Sequence, residues 1–269
     1  MDSKIHKNLH FVIHLQMNKK EVVPFKKNKN SKKIQVRQMF DSISAKYDII
    51  NRIISGGLDL KWRKNVVKLI KHKKPKRILD VATGTGDLAI ALYETLAKEI
   101  VGIDISERML AVGKKKVDKN QWQKNIKMEI GDAERINYPT NYFDAVTVSF
   151  GVRNFENLDK GLSEIFRVLK PGSELVILET SIPQGFPLNC LYHLYTSYFL
   201  PVVGSFFSKD KSAYNYLSLS AKVFPFGIAF NRILEKNGFI VKENIIQTFG
   251  VATIYHAYKP ISNAQIFKD

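Results

Sequence analysis

The chain holds a single cysteine, Cys190, in 269 residues. That excludes a disulfide-stapled scaffold and points to a reducing compartment. Acidic residues are scarce: 25 Asp and Glu stand against 42 Lys and Arg, a formal net charge of +17. No uninterrupted apolar run is long enough to span a bilayer, which excludes a membrane-spanning helix. The opening stretch MDSKIHKNLHFVIHLQ lacks a small-residue cleavage site, which argues against a signal peptide. No Gly-Lys-Ser/Thr follows the glycine loop, so a P-loop is excluded. No His, Cys and acid cluster offers a metal site. Apolar residues make up 45%, too many for a disordered chain, and the length suits one large α/β domain.

Lysine is what the chain has in excess. Such a charge suits nucleic acid or an anionic membrane surface. The basic residues are spread along the chain, however, with no Arg stripe carrying interleaved aromatics. Compositional drift toward Lys, Asn and Ile accounts for most of it, and membrane attraction ranks second. Residues 1–32 read as a flexible basic arm, in which residues 1–16 are a start-site extension before Met17.

From there the pattern predicts one domain over 33–260 and a short tail at 261–269. IQVRQMFDSISAKYDIINRIIS has helical spacing up to the break at Gly56-Gly57, and DLKWRKNVVKLIKH is a second helix with Asp59 as its cap. Then strands and helices alternate. RILDV, IVGIDI, IKMEIGDA and YFDAVTVSF read as strands. GDLAIALYETLA, SERMLAVGKKKV (capped by Ser106) and LDKGLSEIFRVLK read as helices. PGSELVILETS is a turn and a strand, and FIVKENIIQ and VATIYHAYK complete seven strands after the helix FGIAFNRILEKNG. The expectation is an α/β, Rossmann-like, mostly parallel seven-stranded sheet with helices on both faces. Residues 183–225, rich in Tyr, Phe and Leu, read as a helical insertion before the last strands.

The stretch LDVATGTGDLAI, residues 79–90, is where a ligand is expected. An apolar strand ends, two glycines (Gly84 and Gly86) let backbone approach a ligand, and a helix opens. Asp104 ends the second strand about twenty residues on, where a ribose hydroxyl pair needs a carboxylate. NAD and S-adenosylmethionine both carry a ribose. Asp80 and Asp87 flank the loop, poor company for a pyrophosphate but suited to a sulfonium ligand with an ammonium group. Asp132 ends the third strand, placed to accept from an adenine amino group while the Ala133 N–H meets a ring nitrogen. These features favour S-adenosylmethionine.

Four further stretches carry a resemblance: YDIINRIISGGLDLKW (47–62), SFGVRN (149–154), RVLKPGSELVILETS (167–181) and the Tyr-x-Tyr-Leu and Phe-Pro of SAYNYLSLSAKVFP. With them the chain, from about Lys33 to Lys259, resembles the ubiquinone/menaquinone biosynthesis C-methyltransferases, within the class I S-adenosylmethionine-dependent fold. The chain departs from the family pattern at Ile50, Asp59 and Ser173, where Met, His and Gly are usual. The resemblance implies that Thr85, Asp104, Asp132, Ala133 and Ser149 contact S-adenosylmethionine.

It also implies methyl transfer to a ring carbon of a polyprenyl quinol, with no metal. Carbon becomes nucleophilic when the neighbouring hydroxyl loses its proton, whose ordinary pKa is near 10. Arg153 is expected to stabilise the oxyanion, since a guanidinium stays protonated and is no base. Asn154 is expected to orient the ring hydroxyl or a water. His193 and Tyr195 lie in the insertion, where helix packing is an equal reading. The insertion is expected to cover the prenyl chain, the enzyme to be cytoplasmic and peripheral at an anionic membrane face, with no nucleic-acid partner. Oligomeric state stays open, a homodimer included. Demethylmenaquinol is preferred as acceptor because the leader is not of the mitochondrial Arg/Ser-rich type. The ubiquinol precursor, another phenol, sterol or lipid, RNA, a nicotinamide oxidoreductase and a non-catalytic scaffold are the alternatives.

Overall fold

The computed structural model describes residues 22–199 and 211–261. Residues 1–21 of the expected arm, 200–210 of the insertion and 262–269 of the tail lie outside the described residues, as does the His193 side chain.

Seven strands form one sheet in the order β3-β2-β1-β4-β5-β7-β6. They are β1 (Arg77–Val81), β2 (Glu99–Asp104), β3 (Ile126–Ile130), β4 (Phe143–Ser149), β5 (Leu169–Thr180), β6 (Ile240–Gln247) and β7 (Ala252–Tyr258). The first five pair in parallel, and β7 runs antiparallel to both β5 and β6. The central strands are near-continuous apolar runs because both faces are covered. Along β1 the side chains alternate: Leu79 and Val81 enter one core with Val146, Leu162 and Phe230, and Ile78 enters the other with Val66, Ile70 and Leu88.

The helices are α1 (Lys32–Ile43), α2 (Tyr47–Ser55), α3 (Leu58–Lys71), α4 (Asp87–Ala91), α5 (Glu107–Lys119), α6 (Leu158–Val168), α7 (Leu188–Leu194), α8 (Lys211–Val223) and α9 (Ile228–Lys236). Side-chain caps start three of them: Ser31 accepts from Ile34 N, Ser106 from Met109 N and Asn157 from Lys160 N. Gly56 and Gly57, at φ +57° and +77°, make the corner between α2 and α3, a left-handed pair that a side chain would strain.

Four local expectations are corrected. The first helical run is two helices, because Ser42 and Ser44 turn their hydroxyls onto the carbonyls of Met39 and Asp41 and break the ladder. The helix after the glycine loop tightens into a 3₁₀ turn at Leu92–Thr95. Asp59 is not a cap: it lies inside the first turn of α3, buried. Pro171-Gly172 is a bulge within β5, since Leu169 already pairs with Phe143 and pairing resumes at Ala145–Glu174.

From Val22 onward the chain is packed against the domain. Val22 and Phe25 lie on the core formed by Val36, Met39 and Tyr216, and Gln35 donates to the carbonyls of Asn28 and Asn30. Among the described residues no helix is long and apolar enough to cross a membrane.

Candidate active site at the carboxyl ends of the strands

β1 lies at the switch point of the sheet, between β2 and β4, where the crevice of a doubly wound fold opens. The loop after it is held from below by Asp80, which accepts from Thr83 Oγ1 at 2.6 Å and Thr147 Oγ1 at 2.7 Å. Burial pushes the Asp80 carboxyl up to about 6. Asp80, 1% exposed, therefore shapes the loop through these two hydroxyls. Gly86, at φ +78°, is fixed by packing as well, since a Cβ there would meet Met128 Cε at 2.7 Å. Gly84, at φ +57°, has nothing within 4 Å of where a Cβ would stand. Its backbone borders open space.

That space is a cavity of about 70 Å³ lined by Gly84, Asp104, Asp132, Ala133 and Ser149, five of the seven expected cofactor residues. Asp104 accepts from Gly84 N at 2.8 Å and Ser106 N at 2.9 Å, and burial pushes it up to about 6 in spite of these two donors. Asp132 Oδ1 accepts from Glu134 N at 2.9 Å, and its Oδ2 holds Lys33 Nζ at 2.7 Å. Ser149 Oγ is buried with no partner. A bare glycine backbone, a buried unpaired hydroxyl and carboxylates closing β2 and β3 fit an adenosine-bearing ligand.

Thr85 and Gly86 do not line this cavity. Thr85 donates its hydroxyl to Asp48 Oδ1 at 2.6 Å, away from the crevice. Asp87 is likewise engaged by protein cations: Arg52 Nη2 at 2.6 Å and Lys116 Nζ at 2.7 Å. Burial would raise its carboxyl, but Lys116, Arg63 and Arg52 outweigh that and hold it below the usual range. Arg52 also pairs with Asp59, as does Arg63, and Ser55 donates to the other Asp59 oxygen at 2.8 Å. This network ties α2 and α3 to α4 and α5.

A second cavity, of about 210 Å³, lies between α2, α3, α7 and α8. Tyr47 and Phe150 line both cavities, so the two abut there. Phe150 follows β4 directly at φ +56°, a strained backbone that places its ring at the junction. Trp62, Arg63, Tyr192, Tyr195 and Arg153 line the larger cavity. Burial raises the Tyr47 phenol, with Asn51 and Arg153 pulling the other way.

Arg153 Nη1 donates to Phe150 O at 2.9 Å and pairs with Glu179 Oε1 at 2.5 Å. Burial disfavours the guanidinium's charge, but Glu179, with Tyr47 and Tyr216, more than offsets that and raises its proton affinity. Asn154 does not line the larger cavity. It borders the smaller one, donating to Phe150 O and accepting from the Tyr216 hydroxyl at 3.2 Å. Three residues went unnoticed in the sequence: Lys33, which had no motif around it, and Glu179 and Thr180, which stand inside the quoted stretch 167–181. Among the described residues no group of three or more His, Cys, Asp or Glu side chains could hold a metal.

The strand order and the crevice define a class I S-adenosylmethionine-dependent methyltransferase fold. Among solved structures, a methyltransferase from Aquifex aeolicus aligns with a TM-score of 0.56 at 19% identity, covering 78% of this chain and 96% of that one. The [4+2]-cyclase SpnF aligns at a TM-score of 0.60 and 18% identity, covering 85% and 97%. Such a pair shows the fold alone. The chain belongs to the ubiE/COQ5 methyltransferase family, whose model it matches over residues 26–259. It is 43% identical over 233 residues to the demethylmenaquinone methyltransferase of Bacteroides fragilis, covering 86% of this chain and 95% of that one. It is 44% identical over 227 residues to the ubiquinone/menaquinone biosynthesis C-methyltransferase UbiE of Geobacter sulfurreducens, covering 84% and 88%.

Proposed function

We propose that this enzyme methylates a ring carbon of demethylmenaquinol, using S-adenosylmethionine, in menaquinone biosynthesis. The observation that carries the reading is the pair of abutting cavities, one bordered by bare glycine backbone and acids, the other lined by aromatic side chains and one buried arginine. The names of the similar enzymes support the same reaction.

S-adenosylmethionine supplies an electrophilic methyl group on its sulfonium. Gly84 would offer backbone to it, Asp104 would accept from the ribose hydroxyls, Asp132 and Ala133 would hold the adenine edge, and the unpaired Ser149 hydroxyl would gain a partner. Gly86 shapes the turn, and Thr85 acts through Asp48. In the larger cavity Arg153 meets the ring oxygen as it loses its proton. Arg153 lines that cavity, and among the described residues its hydrogen bonds run from Nη1. Asn154 holds the turn that carries Arg153 and Phe150, so its part is on the cofactor side of the junction. Alignment of the ring carbon with the methyl supplies much of the remaining rate.

The prenyl tail leaves along α7. Tyr192 on α7, and Tyr195 and Thr196 in the π-helical turn that follows it (Tyr195–Phe199), face the cavity, whereas Leu191, Leu194 and Tyr198 form an exposed outer stripe. That outer stripe and the net charge of +17 support a cytoplasmic enzyme resting on an anionic membrane surface. Pelleting with anionic vesicles at low salt is expected, and its absence would remove the membrane placement.

The ubiquinol precursor is the second reading, favoured by the name of the Geobacter relative. Comparing kcat/KM for the two reduced acceptors decides between them. A preference for demethylmenaquinol is expected, and the reverse preference, or transfer to RNA alone, would overturn the reading.

A further inference from the structure

Glu179 and Thr180 close β5 side by side, and the steps above use neither. Glu179 is 0% exposed. Its Oε1 accepts from Arg153 Nη1 at 2.5 Å, from Thr180 N at 2.7 Å and from the Thr180 hydroxyl at 3.1 Å. Its Oε2 is sealed from solvent with no donor at all. A buried carboxylate oxygen left unpaired calls for a reason. Thr180 in turn lines the larger cavity. So a residue on the cavity wall already directs its O–H at a buried carboxylate.

We infer that Thr180 relays the proton of the acceptor's ring hydroxyl to Glu179, which is the proton acceptor for methyl transfer. The inference rests on the quinol reading above. The acceptor O–H breaks and its proton moves to Thr180 Oγ1. The Thr180 O–H breaks and its proton moves to the carboxylate. The electron pair left on the ring oxygen is delocalised to the ortho carbon, which forms the new C–C bond as the S–CH₃ bond breaks. The methylated carbon then gives up its ring proton to the ring oxygen, which restores the hydroxyl and aromaticity. The proton on Glu179 returns through the Thr180 hydroxyl to the cavity and leaves there to solvent, so each methyl transferred releases one proton.

Charge favours this route. In the resting site Glu179 neutralises Arg153. After proton transfer Glu179 is neutral, and Arg153 becomes the counter-ion of the phenolate. The buried site carries no net charge in either state, so no isolated ion is created away from water. This also gives a reason for an oxyanion-stabilising cation to be held on a carboxylate.

The groups facing Glu179 are Arg153 from the turn after β4 and Tyr255 from β7, with Tyr47, Tyr192 and Tyr216 beyond the guanidinium. Burial raises the phenols of Tyr47 and Tyr192 and pushes Tyr255 to about 12. None of these three phenolates forms near neutrality to take the proton instead.

The test is transfer of labelled methyl to reduced demethylmenaquinone across pH, for wild type, Glu179→Gln, Thr180→Val and Thr180→Ser. Calorimetric binding of S-adenosylmethionine serves as the check of folding. Loss of the relay is expected to lower kcat about 10²-fold with KM little changed, the usual size of a general-base contribution. The residual rate should climb about tenfold per pH unit as hydroxide takes over the proton. Thr180→Ser should restore both rate and profile. Wild-type kcat and profile in folded Thr180→Val would overturn the relay. So would a loss confined to KM or cofactor affinity, which would leave Glu179 a mere prop for Arg153. If Glu179→Gln fails to bind cofactor, Thr180→Val alone decides. No label in any quinol from wild type would sink the quinol reading and the relay with it, whereas label from wild type with unchanged variants sinks the relay alone.

Discussion

Arg153 and Glu179 form a buried ion pair, with Nη1 and Oε1 2.5 Å apart and side-chain exposures of 7% and 0%. The pair belongs to the cavity wall, so truncating the arginine does two things at once. It removes the cation and strands a buried carboxylate.

Arg153→Ala is therefore expected to destabilise the fold by about 3–5 kcal/mol, the usual effect of breaking a buried pair. Arg153→Met combined with Glu179→Gln should recover at least half of that, because no charge is left unpaired. Urea unfolding of the two variants checks this. Equal losses would mean that water reaches the site. Methyl transfer should be lost in both, which separates the chemistry of the pair from its stability.

Cofactor affinity should depend on pH through Asp104. Burial puts its carboxyl at about 6 in the folded protein, whereas an unfolded Asp titrates near 3.9. The folded state thus disfavours the charged form, and this group's contribution to stability is present below the unfolded value and lost as pH rises through about 6. Binding runs the other way, because the ribose hydroxyls need an ionised acceptor. The Kd for S-adenosylmethionine should rise about fivefold between roughly pH 6 and 5, approaching one tenfold step per unit below that for a single proton. Calorimetry on wild type and Asp104→Asn checks it. The variant should bind weakly with a flatter profile, and an equal slope in both would place the titration elsewhere, with Asp80 the first candidate.

Much of this site was legible in the sequence, for a physical reason. An apolar run must end where a buried strand ends, and glycines mark a turn that needs left-handed backbone, so β1, Gly84, Gly86 and the acid closing β2 could be read in place. The Ser106 cap was legible because its bond is local. What could not be read depends on partners brought together by folding. Asp87 lies 35 residues from Arg52 in sequence, and Lys33 lies 99 from Asp132. Nothing in the local pattern shows that these carboxylates are already engaged. The break between α1 and α2 was missed because it is made by two serine hydroxyls, with no Gly or Pro to mark it.

Asp59 takes both Arg52 and Arg63. Asp59→Asn leaves two guanidiniums around one neutral amide on the wall of the larger cavity. A loss of about 3–5 kcal/mol is expected, with KM for the quinol rising and cofactor affinity little changed. Thermal unfolding and steady-state kinetics check this, and a neutral Asp59→Asn would show that the network adds nothing.

The two loop glycines should fail differently. Gly84→Ala meets open space, so its effect on stability should stay within about 1–2 kcal/mol, the strain of a left-handed alanine. Its Cβ would project where the cofactor lies, so affinity should fall sharply. Gly86→Ala meets the movable end of Met128, with Cε at 2.7 Å, so it should carry the same left-handed strain as Gly84→Ala but leave cofactor affinity nearly unchanged. Melting temperatures and calorimetric Kd values for the pair check the contrast. Equal behaviour would mean that the two glycines do not play distinct parts.

The most direct measurement is the fate of a labelled methyl group. S-adenosylmethionine carrying the label is incubated with the enzyme and reduced demethylmenaquinone, and the quinone is recovered and its ring analysed. Label on the ring carbon of menaquinone, absent when the acceptor is left oxidised, is the expected result. An unlabelled quinone from an enzyme shown to bind the cofactor, or label on a ring oxygen instead of carbon, would contradict it.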